Sequence, residues 1–278
     1  MSSSRPPKKF AASHQRSWLW GHHAVLETVR AGRWPVMELF ADRTLNRDVL
    51  KQVTELAGRH GIRLELVDAK RLEQLSNQPD HQGLLARMGE FPCKGLPELH
   101  EIIGQTDQHQ TKAFSAKGKK AKSGNLPKLF VVCDRLQDAH NFGAILRCCD
   151  AVKADGVIVG ERSQVAITPH VARASSGAVN HLEIYRVASL SQLLEQMKEA
   201  GTSIVAASEK SKTLHWDTEL KGDVALVIGS EATGIAPELL ERCTLQVAIP
   251  MLGGVSSLNA AVAAGILMYE CRRQQTHE

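Results

Sequence analysis

Apolar positions along the chain fall into two regimes. Between residues 17 and 90 they come in short pieces whose spacing switches between helix and strand. After Gly21, the positions Val25, Leu26 and Val29 recur at helical intervals, and residues 36–40 read as a strand. Val49, Leu50, Val53, Leu56 and Ala57 mark one face of a longer helix that Gly61 should end. Residues 62–67 then alternate as a strand does, and a short helix over 69–75 and a strand over 84–88 complete a small α/β unit. From 129 onward the pattern changes to unbroken apolar runs at 129–133, 156–159, 182–185, 203–207, 224–228 and 245–249. Such runs are expected of strands in a parallel sheet covered on both faces. Helices are predicted between them at 141–151, around 169–176, at 190–200, at 237–242 and from 257 to about 272. A wound α/β domain over 129–273 follows, and folds of this class place ligands beyond the carboxyl ends of their strands.

Residues 91–128 belong to neither regime. Gly, Lys, Ser and Gln are frequent there, and only 96–103 reads as helical, so the segment is expected to be a linker. A chain of 278 residues accommodates the resulting two-domain division. The formal net charge is +4, yet its distribution is uneven. Residues 1–16 carry four basic residues and no acid, and residues 112–128 carry six lysines and no acid, so the rest of the chain is net acidic. Acid-free basic segments attract phosphate backbones without sequence preference; a solubilising tail and a solvated linker are the alternative. No apolar run approaches the ~20 residues of a membrane span, and residues 1–16 lack the apolar core of a secretory signal. Six scattered cysteines form no C-x-x-C pair, and the histidines lack metal spacing. Reduced thiols, a cytoplasmic location and no metal are expected.

Three blocks at strand-to-helix handovers carry the candidate chemistry. In Asn141-Phe142-Gly143-Ala144-Ile145-Leu146-Arg147, Asn141 is expected to cap a helix, and Arg147 shares a helical face with Gly143. In Gly229-Ser230-Glu231-Ala232-Thr233-Gly234, glycines let backbone amides face a ligand. This loop lacks the Lys-Ser/Thr pair of a phosphate loop, and no G-x-G-x-x-G occurs in the chain. The third block is Ile249-Pro250-Met251, running into Ser256-Ser257-Leu258-Asn259, where Ser256 or Ser257 is expected to cap the last helix. Each block alone reads equally as an ordinary turn, a surface arginine or a packed helix. Their order and spacing set them apart.

Together these blocks resemble the SpoU-type RNA ribose 2'-O-methyltransferases, with Arg173-Ala174-Ser175-Ser176-Gly177-Ala178 lying between the first two. Gly21-His22-His23-Ala24-Val25 and His81-Gln82-Gly83 resemble that family's small substrate-binding domain, itself similar to a ribosomal L30-type protein. Pattern, charge and resemblance together divide the chain into four segments: an L30-like RNA-binding domain at 17–90 and a methyltransferase domain at 129–273, which carry the resemblance, and a basic flexible tail at 1–16 and a basic flexible linker at 91–128, which lie outside it. The resemblance also implies a deep trefoil knot in the parallel-sheet domain, a homodimer with active sites near the interface, and S-adenosylmethionine as cofactor. Gly229, Ile249 and Leu258, with Ala207, Ser230 and Met251, correspond to cofactor-binding positions. Arg147 is the implied catalytic residue, with Asn141, Glu231, Ser257 and Asn259 orienting the substrate. Ala232 departs from the glycine common in the family.

An arginine guanidinium stays charged, which favours stabilising a developing alkoxide and positioning a phosphate over abstracting a proton. The sequence-level expectation is methylation of a guanosine ribose in 23S-type ribosomal RNA. Transfer RNA is the alternative substrate, and a non-catalytic RNA-binding module on the same fold is the alternative of a different class.

Overall fold

A computed structural model describes residues 17–103 and 126–276. The basic segments 1–16 and 112–125 lie outside the described residues. The chain divides into two units, one made of residues up to 92 together with 166–181, the other of 93–165 and 182 onward.

The first unit is built on a four-stranded sheet in the order β1-β4-β2-β3, from β1 (Trp18–Trp20), β2 (Val36–Asp42), β3 (Leu64–Val67) and β4 (Leu84–Met88). β4 runs antiparallel to both of its neighbours, and β2 pairs with β3 in parallel. Strand β1 was not foreseen. Three residues are too few to display alternation, yet all three are buried. The helices Arg47–His60 and Ala69–Ser76 begin on Asn46 and Asp68, whose side chains accept the Asp48 and Arg71 amides at 2.8 Å each. Gly61 ends the first of these helices at φ +64°, a left-handed position suited to glycine. Residues 166–181 complete this unit through the helix Pro169–Ala174 and a short 3₁₀ turn. Arg173 lies over the Trp20 ring at 4.2 Å and donates to Asp80 Oδ2 at 2.9 Å. Trp20 Nε1 donates to the other Asp80 oxygen at 2.9 Å. These contacts hold the Asp80 carboxyl below its ordinary range, the Arg173 hydrogen bond first among the causes.

The second unit is a six-stranded, wholly parallel sheet in the order β10-β8-β9-β5-β6-β7. Its strands are β5 (Leu129–Cys133), β6 (Gly156–Gly160), β7 (Ile184–Val187), β8 (Ser203–Ala207), β9 (Val224–Ile228) and β10 (Leu245–Val247). β5 and β9 are buried at every position, as their unbroken apolar sequence requires. β7 starts two residues later than its hydrophobic run, and β10 stops short of Ile249. From β5 the chain winds one way to β6 and β7, while β9, β8 and β10 lie on the other side. The boundary between β5 and β9 is therefore the topological switch point.

The helix Ala260–Thr276 packs against the helix Ala139–Ala151, with the Cys149 and Met268 sulfurs 3.7 Å apart. Burial pushes the Cys133 and Cys271 thiols up to about 12, so neither is a thiolate at neutral pH. Arg272 anchors the end of the long helix, and all five of its donors are engaged. They reach the carbonyls of Pro127, Val152 and Lys153, the Gln275 side chain and Asp155 Oδ2. Arg272→Met should strand these buried acceptors and cost about 3 kcal/mol. The expected reading is a lower denaturant midpoint at an unchanged slope; an unshifted midpoint would show that the clamp adds no stability.

Candidate active site

Three loops converge at the carboxyl edge of the parallel sheet. They follow β8, β9 and β10 and enclose a cleft of about 600 Å³. The second loop is tightly closed. Ser230 and Gly234 exchange backbone hydrogen bonds at 3.2 and 2.8 Å, with Gly234 at φ +66°. At Gly229 the chain passes so near itself that a Cβ would lie 2.3 Å from the Gly234 carbonyl carbon and the Ile235 nitrogen. Only glycine fits there. Ala232 is not at positive φ, so the departure from the family's glycine leaves this loop unstrained.

Two helix starts differ from expectation, and both differences bear on the site. Asp138, not Asn141, caps the helix Ala139–Ala151, its carboxylate accepting the His140 and Asn141 amides at 2.6 and 3.3 Å. A carboxylate also suits the positive end of the helix. Asn259, not Ser256 or Ser257, serves the last helix, accepting the Ala261 and Val262 amides at 2.9 and 3.3 Å. Asn141 is thereby left to bridge. Its Nδ2 donates to Glu231 Oε1 at 2.7 Å, and its Oδ1 accepts from Asn259 Nδ2 at 2.8 Å. The third motif is thus tied through the first to the second, and the chain Asn259–Asn141–Glu231 fixes which way each amide points.

The cleft gathers eight of the residues singled out in the sequence. Gly229, Ser230, Ala207 and Leu258 line it, as do Asn141, Glu231, Ser257 and Asn259. Ile249, Met251 and Arg147 are not among its lining residues. For Arg147 the reason is helical phase. Phe142, Ile145, Leu146 and Cys149 form the buried face of its helix, and Arg147 falls on the exposed side. Sequence reasoning missed Ser208, Glu209 and Lys210, which line the cleft after β8. No motif flags them; only the expectation that ligands sit beyond strand ends could have.

The motifs of the first unit also meet. Gln82 Oε1 accepts the His22 amide at 3.0 Å, and the buried His81 Nδ1 accepts the Gly83 amide at 2.9 Å. Among the described residues, no three His, Cys, Asp or Glu side chains are grouped to hold a metal ion. None of the described helices is long and apolar enough to cross a membrane.

A glycine-walled cleft beyond the carboxyl ends of parallel strands, with a chain of polar side chains on its lining, defines an α/β domain with a small-molecule site in the position such folds use for ligands. Comparison with known proteins narrows that class. Residues 128–269 match the SpoU rRNA methylase family, and residues 18–92 match the RNA 2'-O ribose methyltransferase substrate-binding family. The Bacillus subtilis protein YacO, whose name places it in the TrmH family of tRNA/rRNA methyltransferases, is 35% identical over 263 residues, covering 95% of this chain and 98% of its own. The SpoU methyltransferase AviRb of Streptomyces viridochromogenes, solved with AdoMet, superposes with a TM-score of 0.70 at 25% identity, over 92% of this chain and 89% of its own. A crystal structure described as an RNA 2'-O ribose methyltransferase gives 0.67 at 26% identity, over 96% and 92%.

The chain belongs to the SpoU methylase family, a family of RNA 2'-O-methyltransferases that use S-adenosylmethionine. The cleft fits that cofactor. Its volume lies within the ~300–1,000 Å³ of small-molecule sites. Its wall at Gly229 offers backbone rather than side chain, and Ile228, Leu240 and Leu258 supply apolar surface for a flat ring.

Proposed function

We propose that this protein methylates the 2'-hydroxyl of a guanosine in 23S-type ribosomal RNA, in the cytoplasm. The observation that carries the reading is the Asn259–Asn141–Glu231 chain at the mouth of the cofactor cleft. It sets two amides and a carboxylate, each oriented by the next, on the cleft lining, where they can receive a hydroxyl beside the cofactor. The large-subunit assignment rests on the substrate-binding unit with its His81-Gln82-Gly83 turn, and on Val255-Ser256-Ser257-Leu258-Asn259 beside the cleft.

S-adenosylmethionine supplies a methyl group already made electrophilic by its sulfonium. The chain's task is then to hold the ribose oxygen in line and to favour its developing negative charge. Gly229, Ser230, Ala207 and Leu258 hold the donor, and Ile249 and Met251, in the segment after β10 and outside the lining of the cleft, are assigned to the same role. Asn141, Glu231, Ser257 and Asn259 orient the acceptor. Arg147 acts from outside the cleft wall, on the phosphate next to the reacting ribose and on the developing alkoxide.

We assign the working form to a homodimer. Val262, Ile266 and Tyr269 form an exposed apolar stripe on the last helix, at 51, 37 and 57% exposure, and Leu252 and Val255 extend exposed apolar surface in the preceding loop. A stripe of this spacing is suited to a second copy of the chain. The implied trefoil is assigned to the stretch 229–259, whose loops line the cleft.

The test is methyl transfer from labelled S-adenosylmethionine to separated ribosomal and transfer RNA, with 2'-O-methyl mapping of the product. Label at one guanosine of large-subunit RNA is expected. Label in transfer RNA alone would move the assignment to that substrate. No transfer, with RNA still bound, would identify a non-catalytic binding module.

A further inference from the structure

The Asp134-Arg135 pair, which follows β5, lies outside the chemistry assigned so far. Asp134 is buried at 3% exposure. Its amide donates to the Ile228 carbonyl at 2.8 Å, so β5 and β9 remain zipped beyond their last strand residues. Its Oδ2 accepts the Ala236 amide at 2.7 Å, at the far end of the Gly229–Gly234 loop. Arg135 closes onto the same carboxylate, Nε donating to both oxygens at 3.1 and 3.2 Å and Nη2 to Oδ2 at 3.2 Å. Its Nη2 also reaches the Gly234 carbonyl at 3.4 Å. To make this turn Arg135 sits at φ +55°, a left-handed conformation unusual for a residue with a long side chain. Strained backbone of this kind persists only where surrounding contacts hold it.

The two residues grip the loop at Gly234 and Ala236, while Ser230 and Gly234 close it on itself. That loop carries Gly229 on the cofactor wall and Glu231 in the polar chain. Both depend on where its return limb sits. A free hairpin of small residues would sample many positions, and each one sampled would reduce the fraction of protein competent to bind.

We infer that Asp134 and Arg135 are positioning residues that preorganise the 229–236 loop for the methyl donor, an inference that rests on the cofactor assignment of the cleft. Neither is a catalytic residue. Both act through the backbone of Gly234 and Ala236. The pair couples the end of β5 to the loop after β9, so it spans the switch point where the cleft opens.

The experiment compares Asp134→Asn, Asp134→Ala and Arg135→Gln with the unaltered full chain. Binding of S-adenosylmethionine and S-adenosylhomocysteine is measured by calorimetry. Amide exchange at Gly234 and Ala236 is measured alongside, together with KM for the donor and for RNA. Loss of one charge-assisted hydrogen bond corresponds to roughly a tenfold to hundredfold loss of donor affinity. Asp134→Ala is expected to show that loss, with faster exchange at both amides. Asp134→Asn keeps an acceptor for the Ala236 amide and should recover part of it. Arg135→Gln, at a partly exposed position, should raise donor KM several-fold and leave RNA KM unchanged. Donor affinity and exchange that match the unaltered chain in Arg135→Gln and Asp134→Asn would overturn the inference. So would an equal loss of donor binding, RNA binding and thermal stability in both, which would make the pair merely structural. Failure of the unaltered chain to bind either compound would instead defeat the cofactor assignment, so the two failures are distinguishable.

Discussion

Gly229→Ala is expected to abolish binding of S-adenosylmethionine. The added methyl carbon would stand 2.3 Å from two backbone atoms and 2.6 Å from the Gly234 carbonyl oxygen. Backbone cannot rotate away as a side chain end can. The opposing limb is also held, because Ser230 and Gly234 share two hydrogen bonds and Ile235 and Ala236 are buried. Relief requires the loop to open, which removes the cleft wall and displaces Glu231 from Asn141. Overpacking a close-packed site costs about 1–3 kcal/mol when side chains can shift, and more where only backbone can. Calorimetry with the donor and with S-adenosylhomocysteine is the measurement, and retained RNA binding would show that the rest of the chain is folded. Donor affinity within a few-fold of the unaltered protein would mean that the loop is not the cofactor wall.

Arg147→Ala is expected to reduce single-turnover methyl transfer by about a hundredfold or more, the scale seen when a donor to a developing oxyanion is removed. Donor affinity should stay within about twofold, since Arg147 does not line the cleft. The fold should survive, because the buried face of the helix is supplied by Phe142, Ile145, Leu146 and Cys149, and an exposed charge contributes little to stability. Arg147→Lys should restore only part of the rate, keeping the charge but not the planar fork that grips a phosphate. Near-normal turnover in Arg147→Ala would refute the assigned role and shift the chemistry to the Asn141–Glu231 pair.

The wound domain was largely legible in the sequence because strands buried on both faces are written as unbroken apolar runs. Residues 129–133, 203–207 and 224–228 coincide with strands for that reason. Caps were less legible. Asp138, Asn141, Ser256, Ser257 and Asn259 all have capping side chains, and choosing among them depends on contacts distant in sequence. Asp138 takes the cap, and Asn141, inside the helix, is left to donate to Glu231, ninety positions onward. Arg272 and Asp134 were illegible for a related reason. A charged residue near a helix end or after a strand reads as exposed until the carbonyls or amides that surround it are known. The candidate site was legible as three motifs, but not as the bridge between them, nor in the lip formed by residues 208–210.

One architectural detail bears on how such proteins could be recombined. The unit around Trp20 is assembled from two stretches of chain, and Arg173 and Asn180 in the second stretch meet Trp20, Asp80 and Thr28 in the first. A crossover near residue 92 would look like a clean domain swap on paper. It would nevertheless give a chimera in which one parent's Trp20 and Asp80 face the other parent's 166–181 segment. Recognition modules in this architecture should therefore be inherited as interleaved halves, and exchange of RNA specificity between relatives should succeed only when both stretches travel together.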